Sequence, residues 1–363
     1  MFKYHMPTKI YFGENALNEN YKEIQNYGSK ALIVTGKNSS KKNGSLDELI
    51  KNLNDLSISY VIYDKVEENP SLETILDGST LAKIKACDFV IGLGGGSPMD
   101  AAKAMAIYIN NPDLKDDEIF KIKDLSSVPM LAIPTTSGTG SEVTQYSVIT
   151  IHKEETKKNF GQVVFPKIAF IDPKYTYKSP LNVTINTAVD AFSHLLESYL
   201  NTNASSMSDG LCEDGFKLFA GVLDDMLELN ITNKTRNSAM LMSTLAGMAI
   251  AQTGTSIPHG MGYAITYSKN LAHGKTNGML MADYMLSFKD QNKVSKVFSL
   301  IEVNDAHEFK SMIGKLMPEK IVLTHDEIDK FTKDFLYNKA KLKNHTEEIG
   351  YDEVYMIYKK SFE

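Results

Sequence analysis

Apolar residues follow two different rhythms along the chain. Up to residue 179, short apolar runs end at turn residues or glycines. They are ALIVT at 31–35, YVIY at 60–63, FVIGL at 89–93, MLAI at 130–133 and IAFI at 168–171. Such runs predict strands buried on both faces. Between them, 46–56 and 98–109 carry apolar residues at helical spacing. This alternation predicts a parallel sheet with crossover helices. After residue 180 the rhythm is helical. Segments 186–200, 212–229, 238–252, 277–288 and 326–336 repeat apolar positions at three and four. The chain therefore reads as an α/β domain over 1–179 and an all-helical domain over 180–363, and 363 residues fit two domains.

Composition removes some classes of function. A net charge of −6 gives no sign of a nucleic-acid partner, which favours a basic surface. Lys3, His5, Pro7 and Lys9 interrupt the first residues, so these read as neither signal peptide nor anchor. No apolar run approaches the roughly 20 residues of a membrane helix. Cys87 and Cys212 match no metal-binding spacing and read as reduced thiols. The expectation is a cytoplasmic protein with no membrane partner.

Two loops carry a phosphate-like signal. In IGLGGGSPMDAAKAMAI (91–107), a buried strand runs into Gly92, Gly94, Gly95 and Gly96. Ser97 suits a helix cap, Pro98 the first helical position, and Asp100 follows three residues after the cap. Bare amides and a helix N-terminus suit an anion. A plain tight turn is the alternative, and four glycines in five positions favour the anion. The spacing is not G-x-G-x-x-G and does not follow the first strand. PTTSGTGSE (134–142) follows another strand and offers hydroxyls and amides to ribose or pyrophosphate, or else forms a polar turn capped by Ser141. Ligands of open α/β sheets bind at the carboxyl ends of strands, where both loops lie.

In the helical half, Asp190 and His194 stand four apart and project from one side of a helix. They read either as two metal ligands or as a solvated ion pair. His259 and His273, each followed by glycine, stand fourteen residues apart in a chain with eight histidines. A lone histidine in such a setting is usually a hydrogen-bonded core residue. Three histidines and one aspartate in one domain instead make an N3O donor set. That set suits Fe2+ or Zn2+ and leaves room for a substrate oxygen.

Taken together, FGENAL (12–17), NPS (69–71), GGGSPMDAAK (94–103), IPTTSGTGSEVT (133–144), IDP (171–173), VDAFSHLLESY (189–199), PHG (258–260) and AHG (272–274) resemble the iron-containing (group III) alcohol dehydrogenase family. The resemblance covers nearly the whole chain. It implies a Rossmann-like dinucleotide-binding α/β domain followed by an all-α domain, a dehydroquinate synthase-like architecture. It implies metal ligation by Asp190, His194, His259 and His273. It implies cofactor contacts from Asn69, Gly94, Gly95, Gly96, Ser97, Asp100, Thr135, Thr136, Thr139 and Ser141, with Lys158 near the nicotinamide ribose. His273, Lys158 and Tyr263 are the implied catalytic positions, and Tyr263 stands where many members carry a proton-relay histidine.

NAD-preferring members resemble the general rule that an acid after the first strand holds the adenosine ribose. Here VTGKNSSKK (34–42) has Gly36, which removes an anion, while Lys37, Ser39, Ser40 and Lys41 offer a cation and hydroxyl donors. This favours NADP over NAD, with an ordinary solvated loop as the alternative. The implied activity is a metal-dependent NADP(H) alcohol dehydrogenase or aldehyde reductase. It moves hydride between a small alcohol or diol and the nicotinamide, in a homodimer or larger assembly. A glycerol dehydrogenase-like enzyme and a non-catalytic nucleotide-binding homologue are the alternatives. The dehydroquinate synthases resemble a Glu/His/His site, from which Asp190 and three histidines differ.

Overall fold

The computed structural model describes residues 1–269, 271–337, 339 and 341–362. They form two compact units: Met6–Pro180, and the chain from Leu181 onward together with Met1–His5. His5 joins the second unit through its backbone. Its N–H donates to Gln252 Oε1 (2.8 Å) and its carbonyl accepts from Gln252 Nε2 (3.0 Å).

The first unit runs β1 (Lys9–Phe12), α1 (Ala16–Asn20), β2 (Lys30–Gly36), α2 (Ser39–Lys42), α3 (Ser45–Asp55), β3 (Ser59–Val66), α4 (Leu72–Ile84), β4 (Phe89–Gly94), α5 (Gly96–Asn110), β5 (Met130–Pro134), β6 (Val148–Ile151), β7 (Thr156–Asn159) and β8 (Ile168–Ile171). Six strands pair in the order β1-β8-β5-β4-β2-β3, all parallel. The apolar runs lie in this sheet as predicted. Successive residues of β2 alternate faces. Ala31 and Ile33 join a cluster with Leu46, Leu49, Leu53, Ile91 and Leu131, while Leu32 and Val34 are equally buried on the opposite face. Because β4 and β5 are neighbours, with Gly94 paired to Pro134, the glycine turn and the threonine loop leave the sheet side by side.

Three strands lie outside the predicted runs. β1 (KIYF) is an edge strand with exposed ends. β6 (VITI) is a short apolar run buried from Ile149 to Ile151, and it pairs antiparallel with the polar β7 (TKKN). β1 and β7 need no continuous apolar run, because at most one face meets a core.

The second unit is helical, as predicted: α6 (Leu181–Tyr199), α7 (Ser206–Leu227), α8 (Asn233–Thr253), α9 (Ile257–Lys269), α10 (His273–Leu286), α11 (Asn292–Leu300), α12 (Ala306–Leu316), α13 (His325–Tyr337) and α14 (Tyr351–Phe362). Several helices begin earlier than their apolar repeats because their first turns are polar. Ser205 and Ser208 form a capping box before α7, and Thr232 and Thr235 form one before α8. α10 packs on α6, α9, α12 and α14, while α6 also packs on α7 and α8. Among the described residues, no helix is long and apolar enough to cross a membrane.

Phe192 on α6 anchors this core. It is fully buried, stacks on Phe219 at 4.2 Å between ring centroids and meets Phe216 and Phe309. Phe192→Ala should cost about 3–5 kcal/mol through lost burial and an unfilled cavity. Denaturant unfolding of the helical unit measures this, and a loss under 1 kcal/mol contradicts the packing.

Candidate functional site

The helical unit brings three of the four expected metal ligands to one point. Single ligand atoms of Asp190, His259 and His273 all lie within 4.8 Å of one another. Three helices supply them: Asp190 from α6, His259 from the first turn of α9 and His273 from the first residue of α10. His194 lies one turn after Asp190. Its ring meets that of His259 at 4.3 Å between centroids, but it stands outside the three-residue group. Tyr263 stacks on the His273 ring at 5.4 Å, with planes 12° apart.

Glycines make this convergence possible. A Cβ on Gly274 would fall 1.9 Å from the Asn186 carbonyl oxygen and 3.0 Å from Asp190 Cβ, so only glycine lets α10 start against α6. One turn later, a Cβ on Gly278 would fall 2.7 Å from Val189 Cγ1. The glycine of AHG therefore serves helix contact, and the contact carries His273 to Asp190.

Two buried residues around the ligands are absent from the sequence expectation. Glu197 accepts a hydrogen bond from the Ser256 N–H through Oε2 and contacts His259 Nδ1 through Oε1. An ionised Glu197 accepting at Oε1 pairs with the His259 tautomer protonated on Nδ1, and in that tautomer Nε2 turns a lone pair toward Asp190 Oδ1, 3.8 Å away. Asn277, one turn after His273, directs its amide Nδ2 at both atoms, 3.3 Å from Asp190 Oδ1 and 3.2 Å from His259 Nε2. Burial pushes the Asp190 carboxyl up to about 7; the Asn277 amide opposes this and the Glu197 charge adds to it. Burial also holds His259 well below its ordinary value, assisted by the Lys341 charge, so the imidazole is neutral. A buried carboxyl group and the neutral His259 imidazole, with the Asn277 amide beside both, make a donor set that fits a divalent cation.

In the α/β unit, the glycine turn packs directly on the threonine loop. Gly94 has φ +149°, and its Cβ would fall 2.7 Å from Pro98 Cγ. A Cβ on Gly95 would lie 3.0 Å from Thr136 Oγ1, and one on Gly96 2.6 Å from Thr139 Cγ2. Gly95, rather than Ser97, holds the cap position of α5, with no side-chain cap. The first-turn N–H groups of this helix are thus left for an anion. Thr136 and Thr139 are partly exposed beside them, and the buried Thr135 Oγ1 has no hydrogen-bond partner.

Several expected cofactor residues are engaged internally. Asp100 accepts from Ser141 Oγ (2.8 Å) and from the Val148 N–H (3.0 Å). Ser141 Oγ also accepts from the buried Lys103 (2.8 Å), which donates further to Thr144 Oγ1 and the Tyr146 carbonyl. These residues brace the two loops. Ser97 Oγ accepts from the Asn69 N–H (3.0 Å). Lys158 is exposed and paired with Glu154, whereas Lys157, on the opposite face of β7, donates to Asn69 Oδ1 (2.9 Å). Strand alternation sets the two lysines on opposite faces of β7. Around Gly36, Lys37 and Ser39 are exposed. Ser40 is buried and accepts from Thr35 Oγ1 (2.8 Å), and Lys41 pairs with Asp64 (2.6 Å).

Both halves of the chain match known proteins. Residues 7–173 match the family model for iron-containing alcohol dehydrogenase, and 184–319 match that for the C-terminal region of the Fe-containing alcohol dehydrogenase family. The chain is 32% identical over 301 residues to an NADPH-dependent butanol dehydrogenase of Clostridium saccharobutylicum, covering 82% of this chain and 76% of that protein. It is 32% identical over 285 residues to a lactaldehyde reductase of Escherichia coli strain K12, covering 76% and 72%. An iron-containing alcohol dehydrogenase structure from Thermotoga maritima matches with a TM-score of 0.93 and 37% identity, covering 100% of this chain and 99% of that one.

The buried charges beneath the cofactor loops generate a pH prediction. Burial raises Glu142 from its ordinary 4.5 to about 7 and lowers Lys103 from 10.5 to about 8. Between pH 4.5 and 7 the native protein holds the Glu142 proton that the unfolded chain releases, so this group's contribution to stability falls as pH rises. Glu142→Gln should flatten that part of the melting-temperature profile. An unchanged slope contradicts the assignment.

Proposed function

The chain belongs to the iron-containing alcohol dehydrogenase family, and from that premise we propose a metal-dependent, NADP(H)-linked alcohol dehydrogenase or aldehyde reductase acting on a small alcohol or diol. The carrying observation is the approach of Asp190, His259 and His273 ligand atoms within 4.8 Å of one another. In this reading His194 supplies the fourth donor, its ring already against His259. A divalent iron or zinc ion bound there supplies Lewis acidity toward an alcohol or carbonyl oxygen, and a nicotinamide supplies the hydride chemistry.

The protein's own residues bind and orient. The N–H groups of Gly96 and Ser97 receive the pyrophosphate at the start of α5, with hydroxyls from Thr136 and Thr139 beside it. Lys157, fixed by Asn69, takes the ribose-side role expected of Lys158. Its amine is lowered by burial to about 8, against the pull of Glu68. Tyr263 takes the position of the relay histidine, holding a phenol against the His273 ring. Gly36 places no acid at the end of β2, Lys41 engages the nearby Asp64, and the exposed Lys37 and Ser39 are suited to a 2′-phosphate. The NADPH dependence of the Clostridium relative supports the same cofactor.

For anaerobically purified protein, NADPH oxidation with small aldehydes is the expected activity. His273→Ala should abolish both turnover and metal retention while leaving NADPH binding intact. Full turnover in a metal-free variant contradicts the proposal. Gly36→Asp should move the ratio of kcat/KM for NADPH over that for NADH by roughly tenfold toward NADH, through like-charge repulsion of the phosphate. An unchanged ratio removes the argument for NADP.

A further inference from the structure

Glu197 is buried beside the candidate metal centre and has no assigned role. It follows Asp190 by seven residues and His194 by three, so one face of α6 presents all three. Its side chain is fully buried. The Ser256 N–H occupies one carboxylate oxygen and His259 Nδ1 the other. The Lys341 charge opposes the upward push of burial on Glu197. Lys341 donates to Thr255 Oγ1, in the turn that leads into α9. A Cβ on Gly260 would lie 3.0 Å from Lys341 Cγ and 2.5 Å from Phe335 Cε2, so the glycine after His259 makes room for the Lys341 stem. Lys341 lies beyond residues 184–319, which match the family's C-terminal model.

We propose that Glu197 is the positioning residue of the metal centre, holding His259 in the tautomer and ring orientation that present Nε2 to the cation. The inference rests on the metal reading of Asp190, His259 and His273. Imidazole binds a metal only through a lone pair, and a carboxylate accepting from the other ring nitrogen fixes which nitrogen carries it. The Ser256 N–H prevents the carboxylate from turning, because it anchors Oε2. Glu197→Gln keeps the shape but cannot satisfy both neighbours. Whichever way the amide turns, its NH2 group faces either the Ser256 N–H or His259 Nδ1. His259 is then free to adopt the tautomer with a proton on Nε2, which cannot ligate.

The test uses the full-length apoprotein with Co2+ alone as the probe, titrated against a competing chelator. Cobalt absorption reports ligand geometry, and thermal melting of the apoprotein reports the fold. Glu197→Gln should bind Co2+ about 10–100-fold more weakly than wild type, the usual effect of losing such a partner. Its cobalt spectrum should change, while the apoprotein still melts in one cooperative transition and NADPH binding stays close to wild type. Glu197→Ala should weaken Co2+ binding at least as much. If both variants bind Co2+ within twofold of wild type with an unchanged spectrum, the inference is overturned. His273→Ala and Asp190→Asn form the separate arm. Wild-type Co2+ affinity in both would overturn the metal reading itself, whatever the Glu197 variants do.

Discussion

At Gly274 the start of α10 lies so close to α6 that a methyl group would fall 1.9 Å from the Asn186 carbonyl oxygen. That contact sets the candidate metal centre. His273 opens α10, and Asp190 follows Asn186 by one helical turn on α6. Bringing the two helices together therefore brings the carboxylate to the imidazole. Gly278 repeats the small contact one turn later against Val189, so the approach is held over two turns. The aromatic cluster around Phe192 packs α6 from within the core, leaving its Asp190–Glu197 face for polar groups.

Burying these groups is costly unless each is paired or charge-balanced. The helical unit meets this with few parts. Glu197 engages His259, Asn277 directs its amide toward Asp190 and His259, and Lys341 offsets Glu197. A cation is the remaining group that the arrangement favours. The α/β unit follows a similar rule. Lys103, Asp100 and Ser141 form a buried polar brace under the glycine turn and the threonine loop, which pack directly on each other. In both units, internal hydrogen bonds hold the ligand-facing atoms in place.

The architecture was legible wherever a segment had one dominant environment. Runs such as ALIVT and IAFI became central strands because both their faces are buried. Edge strand β1 and the hairpin strand TKKN were not, since neither needs a continuous apolar run. The three residues that converge were each singled out in the sequence, Asp190 by its spacing to His194 and His259 and His273 by their following glycines. Glu197 was hidden because an acid seven residues after another on a helix looks like any solvated face. Its burial and its grip on His259 arise only when α9 packs nearby. Asn277 was hidden for the same reason. The assignment of Lys158 over Lys157 turned on strand register, since a one-residue step reverses the face. Ser40, Ser141 and Asp100 carried suitable chemistry, but sequence could not tell that internal partners already hold them.

The central claim is that side chains from separate helices share one divalent cation. X-ray diffraction at the iron absorption edge, from crystals of anaerobically purified protein supplied with Fe2+, tests it most directly. The account predicts one strong anomalous peak at bonding distance from Asp190, His194, His259 and His273. A structure with no peak there, or with iron held by other residues, contradicts it.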